Sequence, residues 1–281
     1  MRFSKYQGTG NDFVMIADPR DEFRLSAEGV AGVCDRRYGI GADGVIRVAP
    51  GRDGGELLMD YLNSDGSVGE MCGNGIRCLA LFAREEGMTS SLDLLVETGA
   101  GLKTVAVQPD ERVRVDMGPP IFRPADIPVR WTGDDALRAR LSLATTEVEV
   151  ACLSMGNPHA VLFVEDSSEA LVTTLGPTIE HHEVFPSGAN VEFVRVLSPE
   201  RIRMRVWERG SGETLACGTG ACAAAVAARL LADAGERVTV ELPGGEVEVE
   251  WSGGLNEESP VFLTGGAAKV FEGEIGSEAW A

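Results

Sequence analysis

The sequence predicts an α+β protein with two pseudo-symmetric domains, each a curved, mainly antiparallel sheet around a central helix. Three observations lead to this fold class. The second half of the chain repeats the landmarks of the first half in the same order. Each half contains many short runs in which apolar and polar residues alternate, and each contains one long helical segment.

The internal repeat is visible in four landmarks. Gly10-Asn11 corresponds to Gly156-Asn157, and ETGAG at 97–101 corresponds to ELPGG at 241–245. Between them, IGADGVI at 40–46 corresponds to SGANVEF at 187–193, and NSDGSVGEMCGNG at 63–75 to WERGSGETLACGTG at 207–220. A nearly constant shift over four landmarks implies two similar domains. We expect one domain at 1–120, closed on by the C-terminal segment 265–281, and a second at 121–264.

Strands and helices are distinguished by their periodicity. Runs such as VRVDM, RIRMRVW and EVEVEW alternate with period two and predict antiparallel strands. The Ala- and Leu-rich segments Gly75–Glu86 and Gly220–Ala232 predict the two long helices. Each helix follows directly on a Cys-Gly-x-Gly motif.

The charge balance excludes some partners. The 281 residues include 25 Lys and Arg against 44 Asp and Glu, a formal net charge of −19. Such a chain repels phosphate backbones and anionic lipids, so neither nucleic acid nor a membrane surface is expected as a partner. The first residues lack an apolar stretch of signal-peptide length, and Arg229 interrupts the most apolar later segment. We therefore expect a cytoplasmic protein.

Cysteine, histidine and lysine usage limits the chemistry. Six cysteines without a secretory segment are expected to be free thiols. Three histidines and no CxxC or HExxH spacing predict no metal site. Three lysines disfavour a Schiff-base enzyme, and no dinucleotide or phosphate loop occurs, so no cofactor is expected.

Cys72 and Cys217 stand at corresponding places, each directly before a predicted helix. A helix N-terminus carries about half a positive charge, which is expected to lower the pKa of an adjacent thiol. The following glycines let a carboxylate approach the free N–H groups closely. One thiolate and one thiol from two pseudo-symmetric halves would supply the base and the acid that invert a carbon centre next to a carboxylate.

The sequence leaves two other interpretations of this cysteine pair. A lone cysteine before a helix is usually a small buried hydrophobe, and the pair could also form a disulfide as an inactive, oxidised state. The duplication favours a catalytic role for both. The other four cysteines lack a Gly-x-Gly follower and are assigned no role; they are Cys34, Cys78, Cys152 and Cys222.

The motifs GTGNDF, NSDGSVGEMCGNGIRC, MGNPH, GANVEF and ERGSGETLACGTGACA together resemble those of diaminopimelate epimerase across essentially the whole chain. The resemblance implies a duplicated fold of that type and no cofactor. It also implies interconversion of LL- and meso-2,6-diaminopimelate on the bacterial route to lysine and peptidoglycan, carried out by a homodimer.

The resemblance also implies roles for individual residues. Cys72 and Cys217 are the acid and base, and His159 and Glu208 adjust the pKa values of the thiols. The carboxylate at the reacting centre is held by Gly73, Asn74, Gly218 and Thr219. The distal amino-acid end of the substrate is held by Asn11, Asn63, Asn157, Asn190, Glu208 and Arg209.

The chain departs from the family pattern at three places. Gly44 stands where some relatives have Gln, so a substrate contact there can only be through backbone. Tyr6-Gln7 replaces Met-His, which we expect to alter packing only. Phe271 stands where relatives often have a tyrosine linked to dimer formation, so the dimer contact there is expected to differ.

Alternative functions remain open from the sequence. A proline or hydroxyproline racemase, or an isomerase of the phenazine-biosynthesis type, would keep the fold and change the substrate. Arg209 with Asn157 and Asn190 favours a substrate that has a second zwitterionic end. A non-catalytic amino-acid-binding or redox-sensing protein would use the same cysteines without turnover.

Overall fold

The computed structural model describes residues 1–133, 135–144, 146–167, 172–276 and 280. The chain divides into two compact units, Met1–Asp116 with Thr264–Ala281 and Met117–Leu263. None of the helices within the described residues is long and apolar enough to cross a membrane.

Strands dominate both units. In chain order the elements are β1 (Arg2–Gly8), β2 (Asn11–Ala17), α1 (Ala27–Cys34), β3 (Gly44–Pro50), β4 (Leu57–Asn63), α2 (Gly73–Glu85), β5 (Asp93–Thr98), β6 (Gly101–Val107) and β7 (Val113–Gly118). They are followed by β8 (Ala139–Ser142), β9 (Glu147–Ser154), β10 (Pro158–Phe163), α3 (Val172–Glu180), β11 (Asn190–Ser198), β12 (Arg201–Glu208), β13 (Gly212–Thr214), α4 (Gly218–Leu231), β14 (Arg237–Leu242), β15 (Gly245–Glu250), β16 (Val261–Gly265) and β17 (Ala268–Glu274). This content of many strands and few helices confirms the predicted α+β class.

The same order of strand pairings occurs in each unit. In the first unit β1–β2 is antiparallel, β2–β3 parallel, β3–β4 antiparallel, β4–β5 parallel and β5–β6 antiparallel. In the second unit β9–β10, β10–β11, β11–β12, β12–β14 and β14–β15 follow the same alternation. The register repeats as well, because Phe13 pairs with Gly44 and His159 with Asn190, a separation of 31 residues in both.

The sequence did not predict the parallel pairs. Each of them joins two strands that flank a helix in the chain, since parallel neighbours need a crossover connection. Two of these helices, α1 and α3, were also missed. Their sequences AEGVAGVC and VTTLGPTIE contain glycines, β-branched residues and Pro177, all poor helix formers, so packing rather than propensity stabilises them.

The two long helices are buried inside the curved sheets. Within its own unit α2 packs against β1, β2, β3, β6 and β17, and α4 packs against β9, β10, β11, β12, β14 and β15. Ten residues of each helix are buried, which requires such an enclosure. Both helices begin two residues earlier than predicted, at Gly73 and Gly218, so Cys72 and Cys217 are themselves the N-cap residues.

Trp280 packs onto α1 in the first unit. The Ser26 hydroxyl caps α1 by accepting a hydrogen bond from the Gly29 N–H at 3.0 Å, and it donates to the Trp280 carbonyl oxygen at 2.7 Å. The Trp280 ring meets Phe23 edge to face. These contacts attach Trp280 to Phe23 and Ser26 of the first unit.

Substitution of Gly29 tests this packing. A Cβ atom there would lie 2.6 Å from the Trp280 backbone, whereas one at Gly32 on the same helix meets no heavy atom within 4 Å. Gly29→Ala is expected to lower the free energy of unfolding by about 1–3 kcal/mol through overpacking. Gly32→Ala is expected to leave it unchanged or to raise it by up to about 1 kcal/mol. Urea unfolding followed by circular dichroism measures both, and equal effects would contradict the packing of Trp280 on α1.

Candidate active site

In each unit the predicted site residues lie at one end of three neighbouring strands. Asn11 begins β2, Gly44 begins β3 and Asn63 ends β4, and Gly44 pairs directly with Asn63. In the second unit Asn157 precedes β10, Asn190 begins β11 and Glu208 ends β12. The cysteine that caps the buried helix completes the set in each unit.

Cys72 faces an amide oxygen. Its backbone has the extended conformation of an N-cap residue, and its thiol donates to Asn11 Oδ1 at 3.5 Å. Asn74 Nδ2 donates to the same oxygen at 3.3 Å. Asn11 Nδ2 in turn donates to the Asp43 carboxylate at 2.6 Å. Asp43 therefore fixes the orientation of the Asn11 amide, so that its oxygen faces the Cys72 thiol.

The buried Arg77 side chain forms hydrogen bonds with residues at the N-terminus of α2. It is fully buried, and its guanidinium donates to the Gly73 carbonyl oxygen at 2.9 Å, to Asn74 Oδ1 at 3.0 Å and to Thr9 Oγ1 at 2.7 Å. Sequence reasoning missed this residue. The available signal was an arginine in the otherwise apolar helical run GIRCLALFA.

Gly44 has a packing requirement of its own. A Cβ atom at this position would lie 2.6 Å from the Leu62 carbonyl oxygen and 2.7 Å from the Tyr61 ring. The Tyr61 hydroxyl donates to Asn63 Oδ1 at 2.6 Å, and Asn63 Nδ2 donates to Ser67 Oγ at 3.0 Å. These contacts explain the glycine without a ligand, and a backbone contact from Gly44 to substrate stays a prediction.

Tyr6 and Gln7 occupy packing and turn positions. Tyr6 is buried against Phe82 with ring centroids 5.8 Å apart, and its hydroxyl donates to Glu85. Gln7 Oε1 accepts from the Gly10 N–H at 3.0 Å, within the turn between β1 and β2. The contacts of both side chains are those of local packing.

Cys217 has a polar and acidic surrounding. Its sulfur accepts a hydrogen bond from the Gly220 N–H at 3.3 Å and lies 3.5 Å from Thr219 Oγ1. The Glu208 carboxylate lies close enough to the thiol for each group to shift the pKa of the other, and it accepts a hydrogen bond from the Thr214 hydroxyl. Thr214 was not among the predicted site residues, although it lies in the ERGSGETLACG motif.

The prediction that the helix N-terminus lowers the thiol pKa is wrong for Cys217. Burial raises its pKa well above the ordinary value, and the nearby Glu208 and Glu192 carboxylates raise it further. The Gly220 N–H and the Thr219 hydroxyl act in the expected downward direction but are outweighed. Burial likewise raises the pKa of Glu208. Burial and the nearby carboxylates both favour the thiol over the thiolate at Cys217.

His159 lies between a carboxylate and an asparagine. Its Nδ1 is 2.7 Å from Glu192 Oε1, and its Nε2 is 2.9 Å from Asn157 Oδ1. His159 and Glu192 are both fully buried. Glu192 lies within the GANVEF motif, but the sequence analysis assigned it no role. The available signal was an acidic residue inside the apolar strand β11.

Asn190 fixes the position of Arg209. Asn190 Oδ1 accepts from the Arg209 backbone N–H at 3.0 Å, and its Nδ2 donates to the Pro158 carbonyl oxygen at 3.2 Å. The Arg209 side chain is exposed and donates to the Ser187 carbonyl oxygen at 3.4 Å. Asn190 therefore holds the backbone of Arg209 in place, and the Arg209 guanidinium is accessible.

The remaining cysteines are packing residues. None of the six cysteines, which all lie within the described residues, is joined in a disulfide, as predicted. Burial raises the pKa of Cys34, Cys78 and Cys152 to about 12. Cys222 is also fully buried. Among the residues that the structure describes, no three His, Cys, Asp or Glu side chains are grouped so that they could hold a metal ion.

The fold is shared with several solved structures of low sequence identity. A probable proline racemase from Agrobacterium radiobacter K84 matches with a TM-score of 0.69 at 16% identity, covering 98% of this chain and 93% of that one. A hydroxyproline epimerase from Agrobacterium vitis matches with a TM-score of 0.68 at 15% identity, covering 97% and 91%. A phenazine biosynthesis protein of the PhzF family from Bacillus anthracis matches with a TM-score of 0.69 at 15% identity, covering 98% of each.

Similarity to diaminopimelate epimerases is much closer. The chain is 47% identical to the diaminopimelate epimerase of Synechococcus elongatus, over 98% of both proteins. It is 47% identical to that of Moorella thermoacetica, over 98% of this chain and 99% of the relative. It is 46% identical to the chloroplastic enzyme of Oryza sativa subsp. japonica, over 97% of this chain and 79% of the relative. The family model for diaminopimelate epimerase matches residues 3–123 and 151–270, and the chain belongs to that family.

Proposed function

We propose that the protein interconverts LL- and meso-2,6-diaminopimelate by moving one proton at an α-carbon, with Cys72 and Cys217 as the two bases. One observation carries the proposal: in each unit a cysteine caps the N-terminus of a buried helix at the corresponding place of a repeated fold. Family membership supplies the substrate.

The helix ends suit the carboxylate at the reacting centre. The first N–H groups of an α-helix have no carbonyl partner within the helix, and together they favour an anion. Gly73 and Asn74 open α2, and Gly218 and Thr219 open α4. As the C–H bond breaks, negative charge builds on the carboxylate, and donors already oriented toward it stabilise the transition state.

Proton transfer then needs one thiolate and one thiol. The thiolate takes the α-proton from one face of the carbon, and the other thiol delivers its proton to the opposite face. The two cysteines have exchanged protonation states when the product leaves, so each acts as base in one direction and as acid in the other. The upward pKa shift of Cys217 favours the acid role for this residue at the start of a turnover.

We propose that Asn11, Asn63, Asn157, Asn190 and Arg209 hold the distal end of the substrate. The accessible Arg209 guanidinium suits the distal carboxylate, with a charge-assisted contact. Glu208 was assigned both to the distal ammonium and to thiol tuning. Its effect on the pKa of Cys217 and its hydrogen bond from Thr214 support the tuning role.

The nearest alternative is a racemase for proline or hydroxyproline with the same fold. Such a substrate has one carboxylate and no second zwitterionic end, so it leaves Arg209 without a partner. A binding or redox-sensing protein is the alternative from another class, and it would have no turnover to lose.

We further propose that the protein is a cytoplasmic homodimer. Strand β17 exposes Val270 and Phe271, with 57% and 46% of their surface accessible. Neighbouring apolar side chains on an exposed strand favour association with a second copy. Phe271 also packs edge to face on Phe3, which holds it in place.

Turnover in deuterated water tests the proposed function. Reduced protein with LL-diaminopimelate should lose the α-proton signal and form the meso isomer by proton NMR. Cys72→Ala and Cys217→Ala should each reduce kcat by about 10³-fold or more, because each removes one proton carrier.

Cys78→Ala and Cys222→Ala are matched controls in the same two helices, and both should keep kcat within about threefold. Exchange of proline or hydroxyproline in place of diaminopimelate would assign the alternative substrate. Retained turnover in either catalytic variant would remove the two-base mechanism.

Substitution of Arg209 tests the distal subsite. Arg209→Ala should raise KM for LL-diaminopimelate about tenfold or more, because a charge-assisted contact to the distal carboxylate is lost. Arg203→Ala, an exposed arginine on β12 paired with Glu241, is the control and should leave KM unchanged. Steady-state kinetics measure both, and an unchanged KM for Arg209→Ala contradicts the assignment.

The protonation state of Cys217 is testable by alkylation. Its raised pKa predicts slow reaction with iodoacetamide at pH 7–8, with a rate that still climbs above pH 9. Glu208→Gln removes a carboxylate that raises this pKa, so the rate profile should move to lower pH. Mass spectrometry of the alkylated peptides gives the rate at Cys217, with buried Cys152 as the unreactive reference. A profile that plateaus below pH 7 in the unsubstituted protein would refute the upward shift.

A further inference from the structure

Glu192 is a buried carboxylate that the proposed mechanism does not use. It lies within β11 and is fully buried, with Oε1 2.7 Å from His159 Nδ1. Its other oxygen, Oε2, is buried with no hydrogen-bond partner among the described residues. Burial of a carboxylate with an unpartnered oxygen is costly, so its presence indicates a role that an apolar residue cannot perform.

The repeat shows that the fold itself does not need this carboxylate. Phe13 pairs with Gly44 as His159 pairs with Asn190, so Ile46 in β3 corresponds to Glu192 in β11. The first unit therefore has an apolar side chain where the second has an acid. The same backbone accommodates both, and the acid is specific to the unit that holds Cys217.

Glu192 also lies next to the first turn of α4. A Cβ atom at Gly220 would be 2.8 Å from Glu192 Oε1, as one at Gly75 would be 2.7 Å from Ile46 Cδ1. The last glycine of each Cys-Gly-x-Gly motif thus leaves space for a strand side chain, Glu192 next to Gly220 and Ile46 next to Gly75. The groups that face Glu192 are His159 from β10, Glu208 from β12 and Cys217 from α4.

The hydrogen bonds of His159 define where its protons lie. The contact between Nδ1 and Glu192 Oε1 needs one proton, and the contact between Nε2 and Asn157 Oδ1 needs another. An amide oxygen only accepts, so Nε2 carries a hydrogen. The pair thus holds two protons and is neutral as a whole, which suits its complete burial beside Glu208. Burial also raises the pKa of Glu192, which favours its neutral form over a free carboxylate.

We propose that Glu192 is a positioning residue that acts through His159 to hold the Asn157 amide with its oxygen inward and its N–H groups available to the substrate. With Glu192 in place, His159 keeps a hydrogen on Nε2 and Asn157 Oδ1 is occupied. Asn157 Nδ2 is then the end of the amide left to donate to a carboxylate. Without Glu192, Nδ1 can take the imidazole hydrogen, and the amide turns to donate to Nε2.

This inference rests on the proposed function, since Asn157 is taken to bind the substrate. Its first test does not depend on turnover. Long-range proton–nitrogen NMR correlations of the histidine rings, assigned with His181→Gln and His182→Gln, report the protonation of each ring nitrogen. His159 should have a hydrogen on Nε2 in the protein without added substrate. An Nε2 that carries no hydrogen overturns the proposal.

A double-mutant cycle tests the connection to Asn157. Glu192→Leu, which gives the second unit the apolar character of Ile46, should raise KM for LL-diaminopimelate about tenfold. In an Asn157→Ser background the same substitution should have no further effect on KM, because residues that act through one contact are not additive. If the two substitutions raise KM independently, so that their factors multiply in the double variant, the proposal is overturned.

Glu97→Gln is the matched control for loss of a buried carboxylate. Glu97 accepts backbone N–H groups of the loop at 52–55 in the first unit, so its loss should lower thermal stability and leave KM unchanged. If Glu192→Leu does not fold, the NMR measurement on the unsubstituted protein still decides the proposal. If the unsubstituted protein does not turn over diaminopimelate, the proposed function fails while the NMR result stands on its own.

Discussion

The structure depends on one constraint, that each long helix begins inside a curved sheet where its first N–H groups need partners. A buried donor without a partner is costly, so the residue at the N-cap and the residues after it are restricted. Cys217 meets part of the need by accepting from the Gly220 N–H. In the proposed mechanism the remaining donors bind the carboxylate of the substrate, beside the cysteine at the N-cap position. Structure and proposed chemistry thus have the same origin.

The two units repeat the backbone but not the electrostatics. Cys72 faces the oxygen of a neutral amide, Asn11, whose orientation Asp43 fixes. Cys217 faces Glu208 and has Glu192 nearby, and both raise its pKa. A reaction that begins with one thiolate and one thiol needs such an inequality, because two identical sulfur environments would not decide which one holds the proton. The repeat supplies the paired geometry, and the substitutions between its halves supply the difference.

Much of the fold and part of the site could be predicted from the sequence. The strand-rich α+β class and the two buried helices follow from alternation, from the Ala-rich segments and from the repeat. The parallel pairs could not, because they depend on crossovers through α1 and α3, whose glycines and Pro177 disfavour a helix. The upward pKa shift of Cys217 was missed because the helix N-terminus is a local feature, whereas burial and the Glu208 carboxylate arise from distant parts of the chain.

The residues that the sequence missed have a common physical reason. Arg77 and Glu192 are charged side chains in apolar segments, and their partners, Thr9 and His159, are brought to them by the fold. Arg77 fixes Gly73 and Asn74, the two residues that follow Cys72, and Glu192 fixes the ring of His159. Isolated from its partners, a buried charge would destabilise the unit, so its presence indicates that orientation of a neighbour outweighs the cost of burial. In the second unit that neighbour is His159, whose ring in turn contacts the Asn157 amide.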